Sequence, residues 1–235
     1  MAIFYQLALP QGANYLTEEE SRHCVKVLRK RLGDVITIVD GLGNYYEASI
    51  TDANPKKCTF EVLGKYQQPT ENYSITLLIA PTKNLDRTEW MVEKLTEIGI
   101  DTIQFVVCKH SERKVLKLDR LVRKVISAMK QSGRAQLPQL LPMIPLTSWQ
   151  GSITENSQKF IAYIDENVST ELAQAAKPAG NYVVLVGPEG DFTAEEVAWA
   201  MQHEFQPVSL GSYRMRTETA GLVAIHTLHT INQLK

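Results

Sequence analysis

The sequence has few cysteines and no long apolar run. Cys24, Cys58 and Cys108 are its three cysteines, and they form no C-x-x-C pair. This argues against a disulfide framework and favours reduced thiols. No apolar stretch approaches the ~20 residues that a membrane-spanning helix needs, and the N-terminus lacks the charged-then-apolar layout of a signal peptide. We therefore expect a soluble, cytoplasmic protein.

Several familiar cofactor and catalytic motifs are also missing. There is no G-x-x-x-x-G-K-[ST], and Gly41 and Gly43 lie in a predicted hairpin rather than at a strand-to-helix turn, which excludes a P-loop and a Rossmann fingerprint. No G-x-S-x-G nucleophile elbow is present. His226 and His229 have no carboxylate or third histidine near them in the sequence, so we expect no metal site.

The sequence has almost no net charge, but its charges are unevenly distributed. The formal charge is −1, with 44% hydrophobic and 22% charged residues, which is typical of a globular protein. Nine basic and two acidic residues lie between Lys109 and Arg134, whereas two basic and nine acidic residues lie between Ala135 and Gln206. The basic segment fits either a polyanionic partner or an ordinary solvated helix face.

The first 70 residues read as short strands with one helix. Residues 35–39 and 45–50 flank a hairpin signature at 40–44, and residues 58–63 indicate a further strand. A capping box at Thr17-Glu18-Glu19-Glu20 predicts a helix that ends before Leu32-Gly33-Asp34. This region is predicted to be a small barrel or half-barrel.

Beyond residues 67–72, apolar strands alternate with segments of helical period. The predicted strands are residues 75–80, 103–107, 160–164, 182–186 and 207–210. This alternation predicts an α/β fold with a mainly parallel sheet. Asp86, with Glu89 as its capping partner, is expected to begin one helix. A second helix has an apolar face formed by Leu118, Leu121, Val122, Val125, Ile126 and Met129.

Two glycine-bearing loops follow predicted strands. Gly187-Pro188-Glu189-Gly190 precedes a helix with a capping box at Thr193 and Glu196 and a hydrophobic staple between Phe192 and Val197. Because ligands of parallel α/β sheets bind beyond the carboxyl ends of strands, two such loops at neighbouring strand ends favour a backbone-lined cleft.

The second loop lies in residues 210–220 and has two interpretations. In a purely structural one, Thr217 or Thr219 is a helix N-cap, Gly211 forms a turn and Arg216 makes a surface ion pair. In a functional one, the same residues line a ligand site.

Six segments in order resemble the RsmE family of ribosomal RNA uridine-N3 methyltransferases, within the SPOUT superfamily. In chain order they are HCVKVLRKRLGD with DGLGN, WMVEKLTEIGI, KHSERKV, KQSGRAQLPQL, LVGPEGDF and LGSYRMRTETA. The resemblance runs from about residue 3 to the last predicted helix.

The resemblance implies a PUA-like RNA-binding β-barrel over residues 1–70 and a SPOUT-type α/β methyltransferase domain over residues 73–235, which dimerises and has a C-terminal trefoil knot. It implies a homodimer that uses S-adenosylmethionine to methylate N3 of a uridine in 16S ribosomal RNA, presented either as naked RNA or as the assembled small subunit. It implies no metal and no membrane partner.

The cofactor-binding positions carried over from the family fall into three loops. They are Val186, Gly187, Pro188, Glu189, Gly190, Leu210, Gly211, Met215, Arg216, Thr217, Thr219 and Ala220. Two departures stand out: the family usually has a glycine at the position of Asp191, and an Arg-Ile-Leu-like run at Tyr213-Arg214-Met215.

The candidate catalytic residues, named from the chemistry of the implied reaction, are Arg216 and Glu218. A guanidinium beside the uracil carbonyls would stabilise the developing anion, with Arg216 the first candidate and Arg214 the second. Glu218 or Glu189 would accept the N3 proton, unless each only holds an arginine or caps a helix.

RNA docking is expected on two basic sets. One is Arg22, His23, Lys26, Arg29, Lys30 and Arg31, and the other is Lys83, Arg113, Lys114 and Arg134. His23 and Cys24 would equally suit half-buried packing positions, and Gly133 suits a helix C-cap. Two rival functions stay open: an RNA-binding module without catalysis, and an α/β enzyme that uses another adenine nucleotide.

Overall fold

The computed structural model describes residues 2–151, 157–163 and 170–234. Within it the chain divides into two compact units. Unit 1 consists of residues 1–70 and 126–137, and unit 2 consists of residues 71–125 and 138–235. That residues 126–137 belong to the same unit as the N-terminal residues was not predicted.

Unit 1 is built on a four-stranded sheet in the order β1-β2-β3-β4. The strands are β1 (Ile3–Tyr5), β2 (Val35–Val39), β3 (Asn44–Asp52) and β4 (Thr59–Gln67). The predicted hairpin is confirmed, since β2 pairs antiparallel with β3, whereas β1 was not predicted and pairs parallel with β2. A short α-helix, α1 (Glu18–Arg22), continues as a π-helical turn over His23–Val27.

The predicted capping box at the start of α1 forms only in part. The Thr17 side chain accepts a hydrogen bond from the Glu20 N–H at 3.4 Å, as expected. The Glu20 carboxylate does not return to the cap, because it pairs with Lys130 in the same unit. A non-local partner has therefore replaced the local one.

Backbone hydrogen bonds join residues 133–137 to the hairpin loop of unit 1. The Gly43 N–H donates to the Ala135 carbonyl at 3.0 Å, and the Leu137 N–H donates to the Gly41 carbonyl at 2.9 Å. The Tyr45 hydroxyl donates to the Gly133 carbonyl at 2.6 Å. Satisfying these buried polar groups explains why the segment belongs to unit 1.

Unit 2 contains a six-stranded sheet in the order β10-β8-β9-β5-β6-β7, in which every pairing is parallel. The strands are β5 (Ser74–Ile79), β6 (Thr102–Val107), β7 (Gln139–Pro145), β8 (Ser157–Ala162), β9 (Asn181–Val186) and β10 (Gln206–Val208). The α/β prediction with a parallel sheet is confirmed. Strand β7 was missed because Pro142 interrupts its pattern at the sheet edge. Of the predicted strand 160–164, Ile164 lies outside the described residues.

The remaining helices are α2 (Leu85–Ile98), α3 (Leu118–Ser132), α4 (Leu172–Ala175), α5 (Ala194–Gln202) and α6 (Thr217–Gln233). The predicted capping box of Thr193 and Glu196 is confirmed at the start of α5. Phe192 and Val197 both pack against the same buried cluster, and a direct staple contact between them stays a prediction. Gly133 follows α3 with a φ of +76°, which fits the predicted C-cap role.

Two helix predictions are wrong in detail. The cap of α2 is Asn84, whose side chain accepts from the Asp86 N–H at 3.0 Å, so Asp86 lies inside the first turn. On the predicted apolar face of α3, Leu121, Val125 and Met129 are buried, but Val122 is 37% exposed. A regular periodicity marks a face, but only the packing partner decides how wide a strip of it is covered.

The three cysteines are free thiols in buried positions. Burial raises the pKa of Cys24 and of Cys108 to about 12, so both thiols are protonated and unreactive at neutral pH.

None of the helices in the described part of the chain combines the length and apolar character that a membrane crossing requires.

Candidate functional site

Three neighbouring strands of unit 2 end side by side. The register pairs Val208 of β10 with Ala162 of β8, and Ala162 with Val186 of β9. Because all three strands are parallel, the segments that follow them leave from one edge of the sheet. The loop after β9 (residues 187–193) and the loop after β10 (residues 209–216) therefore meet there.

A cavity of about 660 Å³ lies at this edge. It is lined by Ala162, Tyr163, Val186, Gly187, Pro188, Glu189, Asp191, Val208, Ser209, Leu210, Gly211, Ser212, Tyr213, Arg214, Met215, Arg216, Thr217 and Ala220. The volume is within the range of small-molecule and cofactor sites. Apolar side chains and loop backbone form most of the wall, which suits a flat, mainly apolar group with a polar edge.

Glycines allow the close approaches around the cavity. A Cβ on Gly187 would lie 2.9 Å from the Phe192 ring, and a Cβ on Gly190 would lie 2.8 Å from the His110 Cβ. Gly211 has a φ of +133°, which L-residues rarely adopt. The loops thus depend on glycine for two different reasons, close packing at Gly187 and Gly190 and backbone conformation at Gly211.

Asp191 shows how the chain tolerates its departure from the family pattern. Its φ is +64°, in the left-handed region that a glycine would occupy without strain. Aspartate is among the side chains that enter this region most readily. The Asp191 carboxylate also accepts a hydrogen bond from the Phe192 N–H at 2.8 Å, which stabilises the turn. The backbone conformation is therefore compatible with either residue.

Hydrogen bonds connect the loop after β9 to the loops after β5 and β6. The Lys83 N–H donates to the Glu189 carboxylate at 2.9 Å, and the Arg113 Nε donates to the Thr82 carbonyl at 3.0 Å. The His110 Nδ1 lies 3.0 Å from the Gly190 carbonyl oxygen. We call these three connected loops, residues 80–84, 108–113 and 187–191, the strand-end rim.

The Glu189 contact gives a direct test of its role. If the cavity takes the S-adenosylmethionine that the sequence resemblance implies, we expect Glu189→Gln to keep near-normal affinity and turnover, because an amide oxygen still accepts from the Lys83 N–H. Glu189→Ala removes the acceptor and is expected to weaken binding of that ligand several-fold, since such hydrogen bonds contribute about 1 kcal/mol or more. Isothermal titration and initial rates measure both. Equal inactivity of the two variants would instead identify Glu189 as a proton acceptor.

The start of α6 borders the cavity. The residue before the helix is Arg216, and no side-chain hydrogen bond caps it, so the structural interpretation of Thr217 or Thr219 as the N-cap is wrong. The Thr217 hydroxyl instead donates to the Gly187 carbonyl at 3.1 Å and joins the two loops. Arg216 is exposed and makes no ion pair with any described residue.

Glu218 is placed differently from Arg216. Its side chain is buried against α2, with Oε1 at 3.7 Å from the Arg87 Nε, and it does not line the cavity. Its Oε2 is buried and has no hydrogen-bond partner among the residues that the structure describes. Glu20 and Glu89 also have a buried carboxylate oxygen without a described hydrogen-bond partner, so this feature does not single out Glu218 as a functional group.

Most of the predicted cofactor residues come together. Those that line the cavity are Val186, Gly187, Pro188, Glu189, Leu210, Gly211, Met215, Arg216, Thr217 and Ala220. Gly190 and Thr219 do not line it. Sequence reasoning did not single out Ala162, Tyr163, Val208 or Ser209, which border the cavity. Only the parallel register of β8 and β10 identifies them, because nothing in their local sequence does.

Three of the nine residues of the basic segment form ion pairs within their own units. Arg120 pairs with Glu89 and Asp86, Lys124 lies 3.8 Å from Glu93, and Lys130 pairs with Glu20. Lys114, Lys117 and Arg123 are exposed and have no ion pair with a described residue. The count of nine basic residues therefore overstates the charge available to a polyanion.

The predicted RNA-binding residues fall into both units. In unit 1, Arg22, Lys26, Arg29 and Arg31 are exposed, while His23 is half-buried with its ring 6.0 Å from that of Phe4, and Arg134 is half-buried. In unit 2, the Lys83 Nζ lies 2.8 Å from the Glu112 carboxylate, and Arg113 donates to backbone carbonyls of the strand-end rim.

Within the described residues, no cluster of three or more potential metal ligands occurs.

Comparison with known proteins assigns both parts of the chain. An RNA methyltransferase domain model matches residues 69–229, and an RNA methyltransferase PUA domain model matches residues 16–63. A curated relative, ribosomal RNA small subunit methyltransferase E of Synechocystis, is 30% identical over 92% of this chain and 72% of its own length.

Solved structures agree with this assignment. A probable rRNA-methyltransferase from Porphyromonas gingivalis is 39% identical, with a TM-score of 0.93, over 100% of this chain and 99% of that one. Ribosomal RNA small subunit methyltransferase E from Neisseria gonorrhoeae, bound to S-adenosylmethionine, is 32% identical, with a TM-score of 0.87, over 99% and 98%. The fold is thus the α/β methyltransferase fold with an N-terminal PUA domain, and the chain belongs to the ribosomal RNA small subunit methyltransferase E family.

Proposed function

We propose that this chain transfers a methyl group from S-adenosylmethionine to N3 of a specific uridine in the 16S ribosomal RNA of the small subunit. The observation that carries the proposal is the backbone-lined cavity of about 660 Å³ beyond the ends of β8, β9 and β10. Membership of the methyltransferase E family supports it.

The cavity residues fit the proposed donor. Val186, Leu210 and Met215 offer apolar surface for a purine, and the loops around Gly187 and Gly211 offer backbone groups to its polar edge. When bound, S-adenosylmethionine supplies an electrophilic methyl group. The protein then needs only to align the acceptor and to stabilise its deprotonated form.

Arg216 is the residue of this chain that can stabilise the deprotonated acceptor. The N3 proton of uridine is lost above neutral pH, and each pK unit by which a site lowers that value requires about 1.4 kcal/mol. The exposed guanidinium of Arg216 borders the cavity and makes no ion pair with a described carboxylate, so it can stabilise charge on the uracil carbonyl oxygens. Glu218 as proton acceptor stays a prediction, because its carboxylate lies against Arg87 of α2 and does not line the cavity.

Finer features of the architecture belong to the same proposal. Residues 1–70 act as a PUA-like β-barrel that docks RNA, and residues 73–235 act as the knotted SPOUT methyltransferase domain of a cytoplasmic homodimer. The exposed basic side chains Arg22, Lys26, Arg29 and Arg31 support RNA docking by the first domain. Phosphate contacts of this kind make binding fall steeply with salt.

Two measurements test the proposed function. S-adenosylmethionine, and not ATP or NAD, is expected to raise the melting temperature of the protein. Mass spectrometry of 16S ribosomal RNA from cells with and without the gene is expected to show loss of one N3-methyluridine. RNA binding that is unaffected by the donor, with no change in the RNA, would indicate a binding module. Stabilisation by ATP or NAD alone would indicate a different nucleotide enzyme.

A further inference from the structure

An exposed aromatic side chain, Tyr213, lies at the mouth of the cavity. Tyr213 is 87% exposed and lines the cavity on the loop after β10, next to Arg214 and close to Arg216 along the chain. It makes no hydrogen bond or ring contact with any residue that the structure describes. Single exposed apolar residues are common on proteins, so its position rather than its exposure is informative.

The other aromatic residues near the cavity are held by the protein. Tyr163 lines the cavity but packs against the hydrophobic cluster of unit 2, and Phe192 packs against the same cluster beside Gly187. The inner wall is completed by Val186, Val208 and Leu210. The purine of a donor therefore has apolar surface inside the cavity. The ring of Tyr213, at the cavity mouth, stays available to stack on another flat group.

A target nucleotide brings such a group. A base that leaves its stack to be modified loses the surface contacts of its neighbours, and enzymes of this kind replace them with aromatic or apolar side chains. Tyrosine suits this role because its rigid ring has only two side-chain torsions to order. Exposed arginines on the same loop can donate N–H groups to the two carbonyl oxygens of a uracil.

We infer that Tyr213 is the platform on which the target uracil stacks before methyl transfer, an inference that rests on the proposed function. The ring holds one face of the base at the cavity mouth, and Arg216 contacts its edge. Phosphate contacts elsewhere on the protein provide most of the RNA affinity. Loss of the platform therefore lowers the fraction of bound RNA whose base is in position, which lowers kcat more than it raises KM.

The test compares Tyr213→Leu with Tyr213→Phe. The substrate is small ribosomal subunits purified from cells that lack the gene, with a radiolabelled methyl donor. Tyr213→Leu is expected to lower kcat roughly 5- to 150-fold, the factor that corresponds to the ~1–3 kcal/mol of one base–aromatic stack. Its KM for subunits and its Kd for S-adenosylmethionine are expected to stay within about two-fold. Tyr213→Phe keeps the ring and is expected to restore most of the rate.

A readout independent of turnover is photocrosslinking to subunits assembled from 16S RNA that contains 5-iodouridine. We expect a crosslink at Tyr213 in the unmodified chain. Unchanged kcat in Tyr213→Leu, failure of phenylalanine to rescue, or a loss confined to donor affinity or to self-association would each overturn the inference. If the unmodified chain is active, those results refute only the role of Tyr213. If the unmodified chain binds the donor but methylates no RNA, the proposed function is refuted as well.

Discussion

Arg216→Ala is expected to reduce methyl transfer by about 10²- to 10³-fold while the protein stays folded. The loss is that of a donor aimed at an oxyanion that develops in the reaction. The fold should survive because the guanidinium is exposed and has no ion pair with a described residue, and the backbone carbonyl that accepts from the Ala220 N–H at 2.8 Å remains. Initial rates with small subunits and a thermal melt measure the two properties.

Two further variants separate charge from shape at this position. Arg216→Lys keeps the positive charge but loses the planar fork, so partial activity is expected. Arg214→Ala, on the same loop, removes the second candidate and should have a smaller effect than Arg216→Ala. Near-normal turnover of well-folded Arg216→Ala protein would remove Arg216 from the mechanism.

Gly211→Ala is expected to weaken S-adenosylmethionine binding by about ten-fold or more. A Cβ at this position would meet only the Met215 methyl group at 3.8 Å, so the cost is one of backbone conformation rather than of space. A φ of +133° costs an L-residue on the order of 1–3 kcal/mol. The loop would therefore prefer another conformation, and apparent affinity falls with the fraction that remains competent to bind. Isothermal titration measures this change.

Gly12→Ala is a matched control for this substitution. Gly12 has a φ of +87° with no atom within 4 Å of the added Cβ, and it lies in unit 1 rather than at the cavity. We expect Gly12→Ala to lower stability with no change in donor affinity. If both variants bind the donor as the unmodified chain does, the loop after β10 does not form the donor site.

Features encoded by short-range spacing were predictable from the sequence. The capping box of Thr193 and Glu196 was predicted correctly because its two hydrogen bonds join residues three positions apart. Asn84 and Asp86 are both good capping residues, and the local pattern could not choose between them. The choice depends on the path of the preceding loop, where the Thr82 N–H donates to the hydroxyl of Thr88 in α2 at 3.1 Å.

The charge pattern shows the same limit. The spacing of basic residues on α3 was visible in the sequence, but their neutralisation was not, because Glu89 and Glu93 lie on α2. Pairing of side chains on separate helices depends on which helix faces pack together. The basic segment therefore suggested a larger surface for a polyanion than the structure leaves available.

By itself the sequence determined the fold class, most of the strands and helices, and the two glycine-bearing loops that carry most of the candidate site, but not β1 or β7. Hydrophobic periods of two and of 3.6 residues and the backbone freedom of glycine are local properties, so they can be read without a partner. Only the tertiary structure decided that β8, β9 and β10 end in one row, that Thr217 bonds to Gly187, and that Tyr213 lines the cavity with no hydrogen bond or ring contact among the described residues. These depend on contacts between residues far apart in the chain, which parallel register and packing create.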